Sequence, residues 1–293
     1  MRTPWTASLL AALLLAALAA AGPVRAAESP LPRRVLMLYD SAHGRGAEDN
    51  LAFRGFQVAA NYYGLVADVR DVARTPLPGP AAMTPYRAVV TVFDSQVGSQ
   101  PDAYLEWLLQ QFQAGRRVLV LGSLGALADP AGNPADDDLL AQVWAYLGLR
   151  DEGQATSRQE LIEYAKTGPH MGYERALPSL PPSYNRYALL EPADLWLGLR
   201  RKDRPDSLSA AVAVGRRGAF AMGDYVFWED PLTAQRQLYL DPFAFLSHGL
   251  GLDNFPALTP TTLNGSRVAF SHVDGDAFNG YTEVDKTKTC AEI

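Results

Sequence analysis

The chain has 293 residues, 48% of them apolar, with 26 basic and 32 acidic side chains and a formal net charge of −6. That apolar content is enough for the core of one or two domains. The acidic balance and a pI near 5.3 argue against a nucleic-acid partner, which favours a basic face, and a single cysteine excludes an internal disulfide.

Residues 1–26 read as an address rather than as structure. Arg2 supplies positive charge, residues 9–21 are an unbroken Ala/Leu run, and Gly22-Pro23 breaks it. Val24 and Ala26 place small residues before Ala27, the pattern of a secretory signal peptide cleaved after Ala26. The alternative is an uncleaved membrane anchor, for which the apolar run is short. No later stretch is long and apolar enough to cross a bilayer, so the expectation is an exported protein, periplasmic or secreted, from a bacterium.

Residues 34–39 are a continuous apolar run, the signature of a strand buried on both faces. A polar, Gly-rich loop follows, with Asp40, Ser41 and His43. A helix is expected over 47–63, its apolar side drawn from Leu51, Phe53, Phe56, Val58 and Tyr62, with Gly64 as its stop. Residues 66–72 alternate as a second strand, completing a βαβ unit. The outline repeats: a strand at 88–93, a helix opened by Pro101 and closed by Gly115, a strand at 117–121 and a helix at 138–147. Alternating strands and helices imply a parallel sheet covered on both faces. The expected class is α/β and flavodoxin-like, similar in outline to class I glutamine amidotransferase-like domains.

Residues 150–207 carry many prolines and are expected to form loops and short strands. Residues 210–214, the turn 215–218 and residues 219–222 read as strand, tight turn, strand. A closing helix is expected over 241–250. Residues 256–266, with two prolines and three threonines, form a linker. The first domain therefore spans 33–255 and a second unit starts at 267.

The first domain offers little chemistry of its own. Asp40, Ser41 and His43 sit where such folds bind phosphates, but neither GxGxxG nor GxxxxGK[ST] is present. Amidotransferase chemistry needs a cysteine nucleophile, and the only one, Cys290, lies outside the domain. Ser123 stands near a strand-to-helix elbow, yet Gly-x-Ser-x-Gly is not satisfied. His170 and His248 read as capping or surface residues, most tryptophans read as core, and residues 224–230 are the best candidate for an exposed aromatic patch.

The stretch with the most chemical content is 267–278. Arg267 to Phe270 has strand character and runs into Ser271, His272, Val273, Asp274, Gly275 and Asp276. Ligands collect at the C-terminal ends of strands in α/β proteins. Two carboxylates flanking a glycine can face one pocket, one binding a divalent metal while the other takes a proton from water. A plain Asp-Gly turn is the alternative. A calcium loop fits poorly, because Phe278 and Asn279 occupy the positions that need Asp or Asn and Gly.

Residues 271–278 resemble the first motif of the polysaccharide deacetylases of the NodB-homology superfamily, and within it the variant of the periplasmic deacetylases of Pel exopolysaccharide biosynthesis. The resemblance implies that Asp274 is the general base and Asp276 a metal ligand; His272 belongs to the motif without an assigned role. Ala277 stands where the relatives usually carry Gly. The family completes its metal site with two histidines on one helical face downstream, and no histidine follows His272.

Residues 267–293 are accordingly expected to be the start of a truncated (β/α)-barrel catalytic domain, ending as a helix begins at Thr289. The resemblance further implies a divalent metal, zinc most often, in the full-length enzyme. It implies an N-acetylated polysaccharide as substrate, with acetate and an amino sugar as products, and other exopolysaccharide-biosynthesis proteins as candidate partners. This stretch alone is expected to be inactive, since catalytic zinc takes three protein ligands. The rival readings are a non-catalytic α/β binding or scaffolding module and a metal-dependent glycosyltransferase. Against the latter stand the position of the Asp pair after a linker and export away from nucleotides.

Overall fold

A computed structural model describes residues 32–42, 46, 49–50, 52–93, 100–129, 131–156, 158–190, 193–253, 255, 262–263, 266–267 and 279–292. The expected signal peptide, most of the linker, His272, Asp274 and Asp276 lie outside the described residues.

A single eight-stranded sheet organises the molecule. Strands β1 (Arg34–Tyr39), β2 (Val66–Asp71), β3 (Tyr86–Phe93) and β4 (Arg117–Gly122) are mutually parallel in the order β2-β1-β3-β4. Their apolar runs alternate between two cores. Val35, Met37, Val90, Leu119 and Leu121 face one, with Phe245 and Leu246 of helix α5 (Pro242–Leu250). Leu36, Leu38, Val89, Val118 and Val120 face the other, with Leu105, Leu108 and Phe112 of α3 (Pro101–Gln113) and Trp144 of α4 (Asp137–Tyr146). Because both faces are covered, both sets of side chains must be apolar, and that is why these strands read as unbroken runs.

The helix after β1 departs from expectation. Residues Ala52–Phe56 form a π-helical turn before α1 (Gln57–Tyr62). The wider turn rotates the helix face, so Phe56, Ala59 and Ala60 are buried while Val58 and Tyr62 stand 65% and 51% exposed. Another short helix, α2 (Pro80–Met83), leads into β3. Helix starts follow local chemistry: the Asp136 carboxylate accepts from the amides of Asp138 and Leu139, and Asp241 caps α5 in the same way through Phe243 and Ala244. Pro242 takes the first turn and Gly251 ends the helix in the left-handed region.

The stretch expected to hold loops and short strands is mostly strand. It forms β5 (Leu149–Thr156), β6 (Ile162–Thr167), β7 (Tyr184–Leu189), β8 (Asp194–Arg201) and the start of β9 (Arg204–Gly215). With β10 (Gly218–Ala221), β9 makes the expected hairpin around Arg216-Arg217. β10 is the seam of the sheet: it runs parallel to β4 on one side and antiparallel to β9 on the other, after which β8 and β6 continue antiparallel. Gly218 is required there, since a Cβ would sit 1.9 Å from the Val118 carbonyl oxygen. The fold is thus α/β with a large central sheet whose parallel half carries an antiparallel extension.

β5 and β7 pair separately, and β7 is tied to β9 through the Ser209 hydroxyl, which accepts from the Tyr187 amide (3.0 Å) and donates to the Asn185 carbonyl (2.9 Å). Two short hairpins complete the described structure, β11 (Phe227–Glu229) with β12 (Arg236–Leu238), and β13 (Thr262–Leu263) with β14 (Ser266–Arg267). Near the end, the Thr289 amide and hydroxyl both donate to the Glu292 carboxylate, and Thr289 bridges Tyr281 in antiparallel fashion; the helix expected to begin at Thr289 is not formed among the described residues. Among the described residues no helix is long and apolar enough to cross a membrane.

Candidate functional site

The described residues place a cleft of about 490 Å³ at the C-terminal ends of β3, β4 and β10. Its lining includes Gly122, Ser123, the aromatic Phe93, Tyr187 and Phe227, and the polar Asn185 and Asp224. β3 and β4 meet closely here: a Cβ on Gly122 would lie 2.3 Å from the Phe93 carbonyl oxygen, and the residue has a positive φ, so only glycine fits. That approach lets the Ser123 amide donate to the same carbonyl at 2.8 Å. The Ser123 hydroxyl accepts from the Gly125 amide at 3.0 Å, a local turn bond.

No histidine lines this cleft. His170 and His248 instead gather around Trp196, with ring centroids 4.5 and 5.6 Å from it and 5.5 Å from each other. Ser123 thus has no histidine base among the described residues, and nucleophilic catalysis needs the pair within hydrogen-bond reach. Apolar ring faces with a few convergent hydrogen-bonding groups are the usual make-up of a small-molecule site.

The described residues directly after β1 are engaged in local hydrogen bonds. The Ser41 hydroxyl donates to Asp71 Oδ2 at 2.5 Å and its amide to Oδ1 at 3.1 Å, while Ala73 adds a third donor at 3.0 Å. Burial opposes ionisation of Asp71, but these bonds and the nearby Arg74 outweigh it and hold the carboxyl below its usual range. His43, the third residue of the expected phosphate loop, lies outside the described residues. Asp40 is buried and accepts from the Ala42 amide.

The expected aromatic patch at 224–230 is not exposed. Tyr225 and Val226 are buried, the Arg175 guanidinium covers Trp228 at 3.9 Å and Arg236 covers Phe227 at 4.9 Å. Cation–π contact uses the ring faces that a sugar would need. Trp107, Trp144 and Trp196 are core residues, as expected. The sequence pattern missed the cleft because its lining comes from β3, β4, β7 and the turn after β10, which no local motif links.

Among the described residues no group of three or more His, Cys, Asp or Glu side chains is placed to hold a metal ion. Asp274 and Asp276 fall outside the described residues, and their geometry is not part of the described structure.

No protein-family model matches the chain, and no curated protein does. Among solved structures, the chain is similar to a cold-adapted β-galactosidase from Rahnella sp. at 14% identity and a TM-score of 0.42, covering 76% of this chain and 31% of that one. It is also similar to a putative ThuA-like protein from Bacteroides uniformis at 16% identity and a TM-score of 0.38, covering 69% and 87%. The chain therefore spans 31% of the β-galactosidase's length.

Proposed function

We propose that this chain contributes the accessory α/β domain and the first catalytic motif of an exported, metal-dependent polysaccharide deacetylase of the NodB-homology superfamily. The observation that carries this reading is the sequence at 271–278, in which two carboxylates flank Gly275 directly after a stretch of strand character. Asp274 is the group that takes and holds the proton of the attacking water, and Asp276 is a metal ligand. A bound divalent metal, zinc in the first instance, would supply polarisation of the acetamide carbonyl.

The same proposal assigns residues 33–255 to a flavodoxin-like domain, similar in outline to class I glutamine amidotransferase-like domains. The strand order β2-β1-β3-β4 supports it, with β10 in the fifth place, because that is the flavodoxin order. Residues 256–266 are then a linker and residue 267 opens the catalytic barrel. The signal-like residues 1–26 support a periplasmic or secreted location.

The test is acetate release from an N-acetylated amino-sugar polymer, using the protein extended through whatever its reading frame encodes after Ile293. The expected result is metal-dependent release that Asp274→Asn reduces by roughly a hundredfold or more, the scale of a lost general base. Absence of release from the extended protein, or full activity in Asp274→Asn, sinks the reading.

A second reading, a non-catalytic binding module acting in exopolysaccharide biosynthesis, is favoured by one observation: the cleft beside Ser123 is lined by apolar and hydrogen-bonding side chains, with no histidine among the described residues. Binding of N-acetylated oligosaccharide that is lost in Asn185→Ala and kept in Asp274→Asn would select it.

A further inference from the structure

At the other end of the sheet, where the parallel strands begin, side chains distant in sequence converge on a pocket of about 430 Å³. Its lining includes Tyr86, Arg87, Arg116, Arg117, Leu250 and Phe255. Three guanidiniums thus meet between the first residues of β3 and β4, and their commitments differ.

Arg116 is fully engaged: it donates to the carbonyls of Tyr86 (2.9 Å) and Met83 (2.8 Å) and to Gln111 Oε1 (3.3 Å). Arg117 donates through Nη1 to the carbonyls of His248 (3.1 Å) and Gly249 (3.2 Å), near the C-terminus of α5, where a cation is favoured. Among the described residues neither has a carboxylate partner. Arg87 has less. Its Nη1 is sealed from solvent with no hydrogen-bond partner, and its guanidinium rests over the Phe255 ring at 4.3 Å. Burial lowers its basicity, and the neighbouring charges of Arg117 and Arg33 lower it further. The sequence after Asp253 supplies no acidic residue before Asp274.

A half-buried cation facing like charges without an anion is unfavourable, and one planar fork with free donors suits a two-oxygen acceptor. We propose that this pocket binds an oxyanion, a phosphate or carboxylate group, gripped by Arg87, drawn in by the field of Arg117 and walled by Phe255. Pairing through the accessible edge of the guanidinium would neutralise Arg87, and Phe255 would exclude water from one side of the pair. The proposal does not rest on the deacetylase reading, since it uses none of the residues at 271–278.

The experiment is calorimetric titration of the whole chain in low-salt buffer with inorganic phosphate and, separately, with glucuronate. Asp274→Asn and Arg87→Met are run beside the wild type, with sodium chloride at matched ionic strength as control. Arg87→Met keeps the packing against Phe255 and removes the charge, and its thermal melt verifies folding. Saturable binding by wild type and Asp274→Asn, weakened about tenfold or more in Arg87→Met, is the expected result, a factor equal to the loss of one charged hydrogen-bonding pair. Tighter phosphate assigns a phosphoryl ligand, and tighter glucuronate assigns a carboxylate. No saturable binding of either anion, or equal binding by Arg87→Met, overturns the proposal.

Discussion

The two ends of the central sheet handle polar groups in opposite ways. At the C-terminal ends of the parallel strands, Asp40 and Asp71 each accept backbone amides, and Ser123 closes its own turn. At the N-terminal ends, Arg116 and Arg117 hold carbonyls, while Arg87 holds only a ring face. Polar character at a strand end is therefore not a site in itself. Most of these groups complete the backbone's hydrogen bonding, whereas Arg87 has no hydrogen-bond partner for its Nη1 among the described residues and so has capacity for a ligand.

This contrast yields a graded set of expectations. Gly122→Ala is expected to have the largest effect, because the new Cβ meets the Phe93 carbonyl at 2.3 Å in a backbone conformation that L side chains rarely adopt. A loss of about 2–3 kcal/mol in urea unfolding is expected; a loss near zero would mean that the strand ends are not tightly joined.

Asp71→Ala comes next, at about 1–2 kcal/mol, since it strips the acceptor from Ser41 and Ala73. Its pH dependence has a definite sign. Asp71 has a lowered pKa in the folded protein, so its contribution is present above the unfolded value near about 4 and is lost as pH falls through the folded value. The acid limb of the stability profile is therefore expected to be shallower in Asp71→Asn than in wild type. An identical acid limb would remove Asp71 from the account.

Asp241→Ala removes the cap of α5 and is expected to lower stability by about 1 kcal/mol. At the opposite end, Arg87→Met in phosphate-free buffer is expected to change stability by less than about 0.5 kcal/mol or to raise it, because the lost charge had no counter-ion. A clear destabilisation there would erase the distinction between the two ends.

Much of the parallel half was legible residue by residue. β1 begins and ends where the apolar run does, α3 starts at Pro101, and α5 lies between its Asp241 cap and Gly251. The antiparallel half was less so. β6 and β7 are only partly buried, mix Tyr with charged residues, and so lack both the unbroken run and the clean alternation that betray a strand. The face of α1 was misassigned because a π-helical turn depends on how the segment packs and leaves no trace in a 3.6-residue pattern.

What the amino-acid order determined by itself was therefore local: runs buried on two faces, caps, stops, the β9–β10 turn and the paired carboxylates at 274 and 276. Such signals act within a few residues of one another, where chain geometry alone brings the groups together. The tertiary structure decided what depends on distant partners. It slots β10 between β4 and β9, it gives Gly122 and Gly218 their close neighbours, and it covers Trp228 with Arg175. It also sets Arg87 beside Arg117 and Phe255, because strand pairing and helix packing choose their neighbours through complementary surfaces rather than through sequence proximity.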